Sequence, residues 1–316
     1  VVSTTLDATL CSDAAIALTL ATNGTSVAAA NYNITGVTVA PGLTASAGNA
    51  TVPATGVAAA YLAADSYTNT GASPLTAVYT VVPVSAAGCV GASKTITMTI
   101  NPEPVVSTAL NATRCSDVAT GLTLATNGIS VAASSYNITA RTIDPALIPG
   151  GANVIVPAVN VAANYLANDK FTNTGAAPLL VTYTVVPVSA ALCLGDPVVI
   201  TMTIDPEPVV ANGLDATVCS DIATALTLNT NGTSVAAGTY NITGRTIGAG
   251  LTANGGNAIV PATGVAANYL AADAFTNTTT AAIAVTYTVV PVSAAGCVGD
   301  PKVITITINP EPVISN

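Results

Sequence analysis

The segment Val303–Ile308 (Val-Ile-Thr-Ile-Thr-Ile) carries isoleucine at every second position, with threonine between. A period of two residues predicts a strand with one buried side and one solvent-facing side. Val285–Val289 (Val-Thr-Tyr-Thr-Val) alternates in the same way, and two glycines lie in the segment 293–301 between the two runs. Together the two runs predict a β-hairpin that contributes one wall of an apolar core.

The segments upstream of this hairpin predict further short strands. They are Ala225–Leu228, Tyr240–Thr243 and Ala258–Val260, with Asn231-Gly232 as a turn signal between the first two. The alanine-rich stretch Val265–Asp273 permits a helical turn, but we interpret it as irregular strand. Pro291 has no N–H to donate, so we expect it at a sheet edge or a bulge. About seven or eight strands in one unit, with almost no helix, indicate an Ig-like sandwich.

The unit occurs three times in the 316 residues. Cys-Ser-Asp begins at Cys11, Cys115 and Cys219, and Cys89, Cys193 and Cys297 follow at the same 104-residue spacing. We therefore divide the chain into repeats 1–104, 105–208 and 209–312, and we expect residues 313–316 to begin a further repeat. Each repeat ends in Pro-Glu-Pro (102–104, 206–208 and 310–312). Proline stiffens such junctions, so the fold prediction is an all-β linear rod of three tandem β-sandwiches.

Composition excludes several classes of partner. The net charge is −9, and charged residues make up only 7% of the chain. A chain without a basic stripe cannot displace counterions from phosphate, so we expect no nucleic acid partner. Thr, Ser, Asn or Pro interrupts every apolar run before about 18 residues, so we expect no membrane insertion by this segment.

The order of motifs resembles the PKD-like, Ig-like tandem repeats of giant surface proteins in Bacteroidota. In the third repeat these motifs are Cys219–Asp221, Phe275–Thr278, Tyr287–Ser293, Gly296–Pro301 and Ile306–Pro310, and the same order recurs in the other two. The family often has Cys-Ser-Gly at the first motif. It also often has Trp in the third strand, where this chain has Tyr32, Tyr136 and Tyr240. The resemblance implies an extracellular array, exported by the type IX route, in an adhesin or gliding-type filament.

Two cysteines per repeat in an extracellular chain predict a disulfide framework. We favour pairing within each repeat, as in Cys11–Cys89, Cys115–Cys193 and Cys219–Cys297. One difficulty is that the first turn and the last hairpin of a plain seven-strand sandwich lie at opposite ends. The alternatives are a bond between neighbours such as Cys89–Cys115, metal binding, for which CxxC pairs and histidine are lacking, and unpaired buried thiols.

The repeated aspartates are the remaining candidate site. Asp13, Asp117 and Asp221 are weak calcium candidates, because calcium needs several oxygen ligands close together and no D-x-D-x-D-G loop is present. A Ser-Asp pair before a strand more often forms a turn that satisfies its own backbone. Without histidine or a G-x-S-x-G motif, we expect no catalytic residues, no enzymatic activity and no cofactor.

We therefore predict a structural or adhesive segment of an extracellular surface filament or adhesin stalk. Its partners would be the neighbouring repeats of the same chain, with lateral self-association into filaments as a further expectation. A sheath or surface-layer building block with lateral packing is the second hypothesis. An array of carbohydrate-binding modules is the third, and it would need exposed aromatic side chains.

Overall fold

The computed structural model describes residues 1–312 and contains three repeats of seven strands each. In the first repeat the strands are β1 (Ala8–Cys11), β2 (Ala29–Val39), β3 (Thr44–Ala45), β4 (Ala54–Val57), β5 (Tyr67–Thr68), β6 (Leu75–Ser85) and β7 (Lys94–Asn101). The second repeat has β8 (Ala112–Cys115), β9 (Ala133–Ile143), β10 (Ile148–Pro149), β11 (Ala158–Val161), β12 (Phe171–Thr172), β13 (Leu179–Ser189) and β14 (Val198–Asp205), preceded by a short 3₁₀ turn, Thr108–Leu110. The third repeat has β15 (Ala216–Cys219), β16 (Ala237–Ile247), β17 (Leu251–Ala253), β18 (Ala262–Val265), β19 (Phe275–Asn277), β20 (Ile283–Ser293) and β21 (Lys302–Asn309).

Each repeat is built on one five-stranded sheet, whose order in the first repeat is β1-β7-β6-β2-β4. The predicted hairpin is confirmed: β20 and β21 pair antiparallel, with Tyr287 opposite Ile304. The first strand crosses over to pair parallel with the last one, so that Cys11 lies opposite Asn101. A two-stranded sheet, β3-β5, contributes Tyr67 to the core that Tyr79 and Ile96 of the large sheet also line. The all-β, Ig-like prediction is therefore confirmed, and among residues 1–312 no helix is long and apolar enough to cross a bilayer.

The layer opposite the large sheet is irregular, and three strand predictions fail there. Residues 225–228 belong to no strand, since Ala225 has a φ of +50° and Leu228 N–H donates to Ala267 O in a turn. Residues 265–273 form β18 at their start and then consecutive turns rather than irregular strand. Residues 258–260 make no ladder, because Ala258 N–H donates to the Asp273 carboxylate at 2.6 Å. The strand begins four residues later, at Ala262.

Pro291 lies within β20, which has a neighbour on each side over its first half. The pairing of β20 with β21 ends at Val289, whereas the pairing with β16 continues to Ser293. Beyond Val289 the other side of the strand meets the loop that follows it, where Gly299 N donates to Pro291 O and Val292 bridges Val298. Pro291 therefore lies past the end of the β21 ladder, where its missing N–H costs no regular ladder bond, rather than on a free sheet edge.

Alternation fills the core as predicted. The side chains of Tyr79, Tyr183 and Tyr287 are fully buried, and those of Ile304, Ile306 and Ile308 line the same core in the third repeat. At about 25 cal/mol per Å² of apolar area, each such side chain stabilises its repeat by about 1.5–3 kcal/mol.

A buried carboxylate lies beside each central tyrosine. In the second repeat, Asp169 Oδ2 accepts a hydrogen bond from Tyr183 Oη at 2.7 Å, and Asp169 Oδ1 accepts one from Val154 N at 2.8 Å. Arg141 Nη1 lies 3.0 Å from the same carboxylate. Burial, followed by the bond to Asp169, raises the pKa of the Tyr183 hydroxyl above its usual range, so it remains a donor.

In the first repeat the corresponding carboxylate, Asp65, has different hydrogen-bond partners. It has Val37 where the others have Arg141 and Arg245, and Tyr67 where they have phenylalanine. The Tyr67 hydroxyl lies 2.6 Å from the Tyr79 hydroxyl, which donates to Asp65 at 2.6 Å. An added tyrosine hydroxyl thus accompanies the loss of the arginine, and a buried charge keeps a hydrogen-bonded environment.

Tyr183→Phe should lower the local free energy of opening of the second repeat by about 1–3 kcal/mol, because Asp169 loses a buried donor. Hydrogen exchange on peptides of β13 and β14 measures the change. Tyr165→Phe is the matched control, because that hydroxyl donates to Ile155 O at an exposed edge. Equal effects of the two variants would contradict a special role for the buried pair.

Candidate functional site at the junctions between repeats

The Cys-Ser-Asp motif forms a turn that fastens the end of its own repeat. Ser12 Oγ accepts a hydrogen bond from Asn69 N at 2.8 Å, and Asp13 Oδ1 accepts one from Thr68 Oγ1 at 2.5 Å. Asp13 has a φ of +62°, a conformation that Asp tolerates better than most residues. Both contacts recur in the other repeats, at Ser116 and Asp117 and at Ser220 and Asp221. The predicted turn role of the three aspartates is supported by these contacts.

A buried asparagine joins this turn to the last strand. The Asn69 side chain is fully buried, and its Nδ2 donates to Ile100 O at 2.8 Å and to Ser73 O at 3.0 Å. Its Oδ1 accepts from Gly71 N at 3.1 Å. Its backbone carbonyl accepts from Glu103 N at 2.9 Å, which ties the linker to the same residue. Asn173 and Asn277 repeat this pattern.

The Pro-Glu-Pro linker is packed between two repeats. Pro102, Glu103 and Pro104 are buried, although a linker between independent domains would be exposed. A Cβ added to Gly195 would lie 1.9 Å from the Pro104 carbonyl oxygen, so only glycine permits this approach of the next repeat. Val131 N of the second repeat donates to Gly71 O of the first at 2.9 Å. The junction is therefore a packed, hydrogen-bonded interface.

The disulfides cross the junctions. Cys11 bonds to Cys193 and Cys115 bonds to Cys297, in each case the first cysteine of one repeat to the second cysteine of the next. The predicted pairing within repeats is wrong, and so is the alternative Cys89–Cys115 bond. Among residues 1–312, Cys89 and Cys219 are the cysteines that remain unpaired, and both are exposed.

The parallel first strand explains this pairing. Cys11 lies opposite Asn101, the last residue of β7, whereas Cys89 precedes Lys94, the first residue of β7. Eight strand residues at about 3.3 Å each separate the two ends by about 23 Å, far more than a disulfide spans. Cys11 instead reaches the end of its repeat where the following repeat presents its own hairpin, with 5.2 Å between the Cα atoms of Cys11 and Cys193.

Each junction also gathers carboxylates from three segments. The pKa of Glu103 is raised to about 7. Burial is the largest cause, followed by the nearby carboxylates of Asp13 and of Asp196 from the next repeat. Glu207 has a pKa of about 7 for the same reasons, with Asp117 and Asp300 as its neighbours. Both glutamates are only 3% exposed. A proton on each glutamate relieves the repulsion between the carboxylates.

The calcium candidates have protein partners for their side chains. Hydrogen bonds from Thr276 and then from Asn254 hold the pKa of Asp221 below its usual value. Across residues 1–312 no group of three or more His, Cys, Asp or Glu side chains is arranged to hold a metal ion. The chemistry of these junctions is covalent cross-linking and proton binding by the paired carboxyls.

The sequence singled out the cysteines and Asp13 but missed Asn69 and Glu103. Asn69 lies in the Thr-Asn-Thr motif, and a glycine or threonine follows two residues later in every repeat. Glu103 is the one charged residue of each linker. A charge flanked by two prolines in a chain so poor in charge was the available signal for a buried, functional carboxyl.

The sequence model of the PKD-like domain matches residues 8–104, 112–208 and 216–312. No curated protein matches the chain.

Among solved structures, Drosophila N-cadherin EC1-4 is similar with a TM-score of 0.26 and 12% identity, over 99% of this chain and 74% of that one. Human CDH23 EC21-23 gives a TM-score of 0.27 and 13% identity, over 88% of each chain. The Bacteroides ovatus mixed-linkage glucan utilization locus SGBP-B, in complex with a mixed-linkage heptasaccharide, gives a TM-score of 0.18 and 12% identity, over 96% of this chain and 66% of that one. At these TM-scores the similarity carries no argument about function.

Glu103→Gln combined with Glu207→Gln should remove a pH dependence from the stability of the junctions. The folded-state pKa of about 7 lies above the ordinary 4.5, so the folded chain binds these protons more tightly than the unfolded chain. Stability is therefore fully present below about pH 4.5 and is lost as the pH rises through about 7. Between pH 5 and 8 we expect the wild-type Tm to fall by roughly 5 °C more than that of the double variant.

Thermal unfolding followed by circular dichroism across this range measures the difference, and no histidine titrates in it. Glu311→Gln is the matched control, because Glu311 N makes the same bond to Asn277 O but no described repeat follows it. Parallel Tm curves for the wild type and the double variant would show that the glutamates stay ionised in the folded junction.

Proposed function

Because the chain belongs to the PKD-like domain family, we propose that it is a load-bearing segment of an extracellular surface filament or adhesin stalk. The observation that carries the proposal is that each repeat is bonded covalently to the next one through the Cys11–Cys193 and Cys115–Cys297 disulfides. Disulfide-bonded PKD-like domains are typical of extracellular proteins, which fits the oxidising environment that such bonds require. A cell-surface location is part of the proposal.

The junction supports this role because bending it costs several interactions at once. A hinge motion would separate Gly195 from Pro104, break the bond from Val131 N to Gly71 O and strain the disulfide. Interfaces between domains that move freely are typically smaller and wetter. We infer a stiff array whose repeats keep one relative orientation and hold an adhesive or sensing element away from the surface.

Non-catalytic roles are typical of PKD-like domains, and the described residues offer no paired acid and base in a cleft. The buried Asp169 and Tyr183 pair lies inside the core, where no substrate reaches it. At the junctions Glu103 and Glu207 are buried, whereas the aspartates beside them are exposed. We propose that the first group stabilises the core of its repeat and the second sets the stability of the junctions.

Lateral packing into a sheath or surface layer is the second candidate. Ile155 and Ile259 are each 80% exposed at corresponding positions, and Val159 is 71% exposed. Exposed apolar side chains on a chain with 7% charged residues, two of them one 104-residue period apart, would suit contacts between neighbouring rods. Electron microscopy of assembled material distinguishes the two, since separate threads support the stalk and a lattice in register supports the sheath.

Carbohydrate binding receives less support. Every Tyr and Phe side chain among residues 1–312 is buried or half-buried. The three most accessible tyrosines use their hydroxyls to bond backbone carbonyls, as Tyr165 does to Ile155 O at 2.9 Å. The stacking platform that a sugar ring needs is therefore lacking on the described surface.

Stretching the oxidised chain by its ends should extend it to about one third of its full contour length. The shortest covalent route runs from residue 1 to Cys11, across to Cys193, back to Cys115, across to Cys297 and on to residue 316. At about 3.5 Å per residue this route is about 380 Å long, against about 1,100 Å for the reduced chain. Single-molecule force spectroscopy, with and without reductant, measures both lengths.

Cys11→Ser combined with Cys115→Ser is the matched control, and this variant should extend to the full length without reductant. A wild-type chain that also reaches about 1,100 Å under oxidising conditions would show that the disulfides do not carry the load, and it would overturn the proposed mechanical role.

A further inference from the structure

One cleft in the second repeat combines a basic side chain with an apolar floor. It has a volume of about 240 Å³ and lies between β8, with the 3₁₀ turn before it, and residues 120–123 of the opposite layer. Leu122 and Met202 belong to the buried core and form part of the lining. Arg114 and Asn111 supply polar groups to the same cleft. A few convergent polar groups beside apolar side chains are typical of sites for small molecules.

The Arg114 guanidinium has more N–H donors than partners. Its Nη1 donates to Thr113 O at 2.8 Å, and within residues 1–312 this is the one hydrogen bond of the side chain. The two ion pairs of that part of the chain involve the other two arginines. Arg114 is half-buried, so part of its hydration is already lost. A guanidinium with spare donors binds a carboxylate or another oxyanion through parallel N–H···O bonds.

The second repeat differs from the other two in both polar groups of the cleft. Where it has Arg114, they have Leu10 and Val218, which pack against their own cores. Where it has Asn111, they have aspartate, and all three side chains accept a bond from a backbone N–H of the last strand. The change from aspartate to asparagine keeps that bond and replaces the second carboxylate oxygen with an NH₂ donor. None of the described residues that line the cleft is acidic, so no carboxylate of the lining neutralises the arginine.

A third difference leaves space beside the guanidinium. The second repeat has Gly121 where the others have Ala17 and Ala225, and all three residues have a positive φ, of +61°, +49° and +50°. A Cβ added to Gly121 would lie 3.5 Å from Arg114 Nη2 and 3.9 Å from its Nε, which is ordinary contact distance. A methyl group there would cover part of the guanidinium, so the glycine keeps more of it accessible from the cleft.

We propose that this cleft of the second repeat binds a small aliphatic carboxylate. The carboxylate oxygens bind Arg114 and accept a further hydrogen bond from the Asn111 amide, and the alkyl tail covers Leu122 and Met202. The cleft volume of about 240 Å³ equals that of about eight water molecules in the liquid, which suits an acid of a few carbon atoms. The site adds a binding activity to the proposed structural role and does not depend on it.

The apolar floor favours an organic acid over an inorganic anion. Phosphate or sulfate would find the same arginine, but its remaining oxygens would meet Leu122 and Met202 without hydrogen-bond donors. An alkyl tail instead removes apolar surface from water. Each CH₂ group that enters the cleft should tighten binding by about fourfold until the cleft is full.

The two methionines of the chain are matched probes for the test. Met98 and Met202 occupy corresponding positions and are both fully buried, but the repeat of Met98 has Leu10 in place of the arginine. Labelling the methionine methyl groups with ¹³C gives two NMR signals, and Met98→Ile assigns them, because the third repeat has Ile306 at that position. Titration of the oxidised chain with sodium butyrate at constant ionic strength should shift the Met202 signal alone, with a Kd on the order of 1 mM.

Arg114→Leu and Asn111→Asp should each weaken butyrate binding by about tenfold or more, because the first removes the charge-assisted bonds and the second places a carboxylate beside the ligand. Each variant introduces a residue that another repeat has at the same position, so we expect both to fold. Lys170→Leu is the matched control, since it removes an exposed positive charge of the same repeat outside the cleft. That variant should bind butyrate like the wild type.

The ligand class is tested with two further probes. Butyramide has the same shape without the charge, and inorganic phosphate has the charge without the tail, so both should bind at least about tenfold more weakly than butyrate. Equal binding of either probe would overturn the assignment to an aliphatic carboxylate. An unshifted Met202 signal at saturating butyrate, or a shift that survives Arg114→Leu unchanged, would overturn the site itself.

Discussion

The hydrogen bonds of one buried asparagine at the end of each repeat join the segments that surround it. The side-chain amide of Asn173 donates to Ile204 O in the last strand and to Ala177 O, and its oxygen accepts from Gly175 N, so the buried amide is fully satisfied inside the protein. The backbone N–H of Asn173 donates to Ser116 Oγ in the Cys-Ser-Asp turn, and its backbone carbonyl accepts from Glu207 N in the linker, so one residue bonds three different segments. Those segments are the ones that present the cysteine, the linker and the last strand to the following repeat.

This arrangement accounts for how charge is used in a chain that has so little of it. Most of the polar surface is Thr, Ser and Asn, yet acidic groups meet at every junction. Repulsion between carboxylates opposes the packing of Pro104 against Gly195, so the covalent bond and the buried contacts must outweigh it at neutral pH. The disulfide therefore does more than add one contact. It holds together an interface whose packing is opposed by repulsion between the carboxylates.

Much of the fold was predictable because its signals are local. Alternating Ile and Thr at 303–308 defined a half-buried strand, and the 104-residue period defined the units. The predictions failed where backbone groups found partners outside a ladder, as at Ala258, whose N–H binds the distant Asp273. The predicted disulfide pairing within repeats is wrong, because the two cysteines of one repeat lie at opposite ends of its sheet. Which repeat Cys11 faces depends on how two domains dock, and a pattern within one domain carries no information about that.

The overlap of the two disulfides has a topological consequence. Cys11–Cys193 and Cys115–Cys297 close two rings of the backbone that share the segment 115–193, so every peptide bond from Cys11 to Cys297 lies inside at least one ring. Cutting any one of these bonds leaves all the atoms connected. Even one cut in the first ring before Cys115 and another in the second ring after Cys193 leave a single covalent body. A single proteolytic cut between Cys11 and Cys297 therefore does not release any part of the chain while the disulfides remain intact.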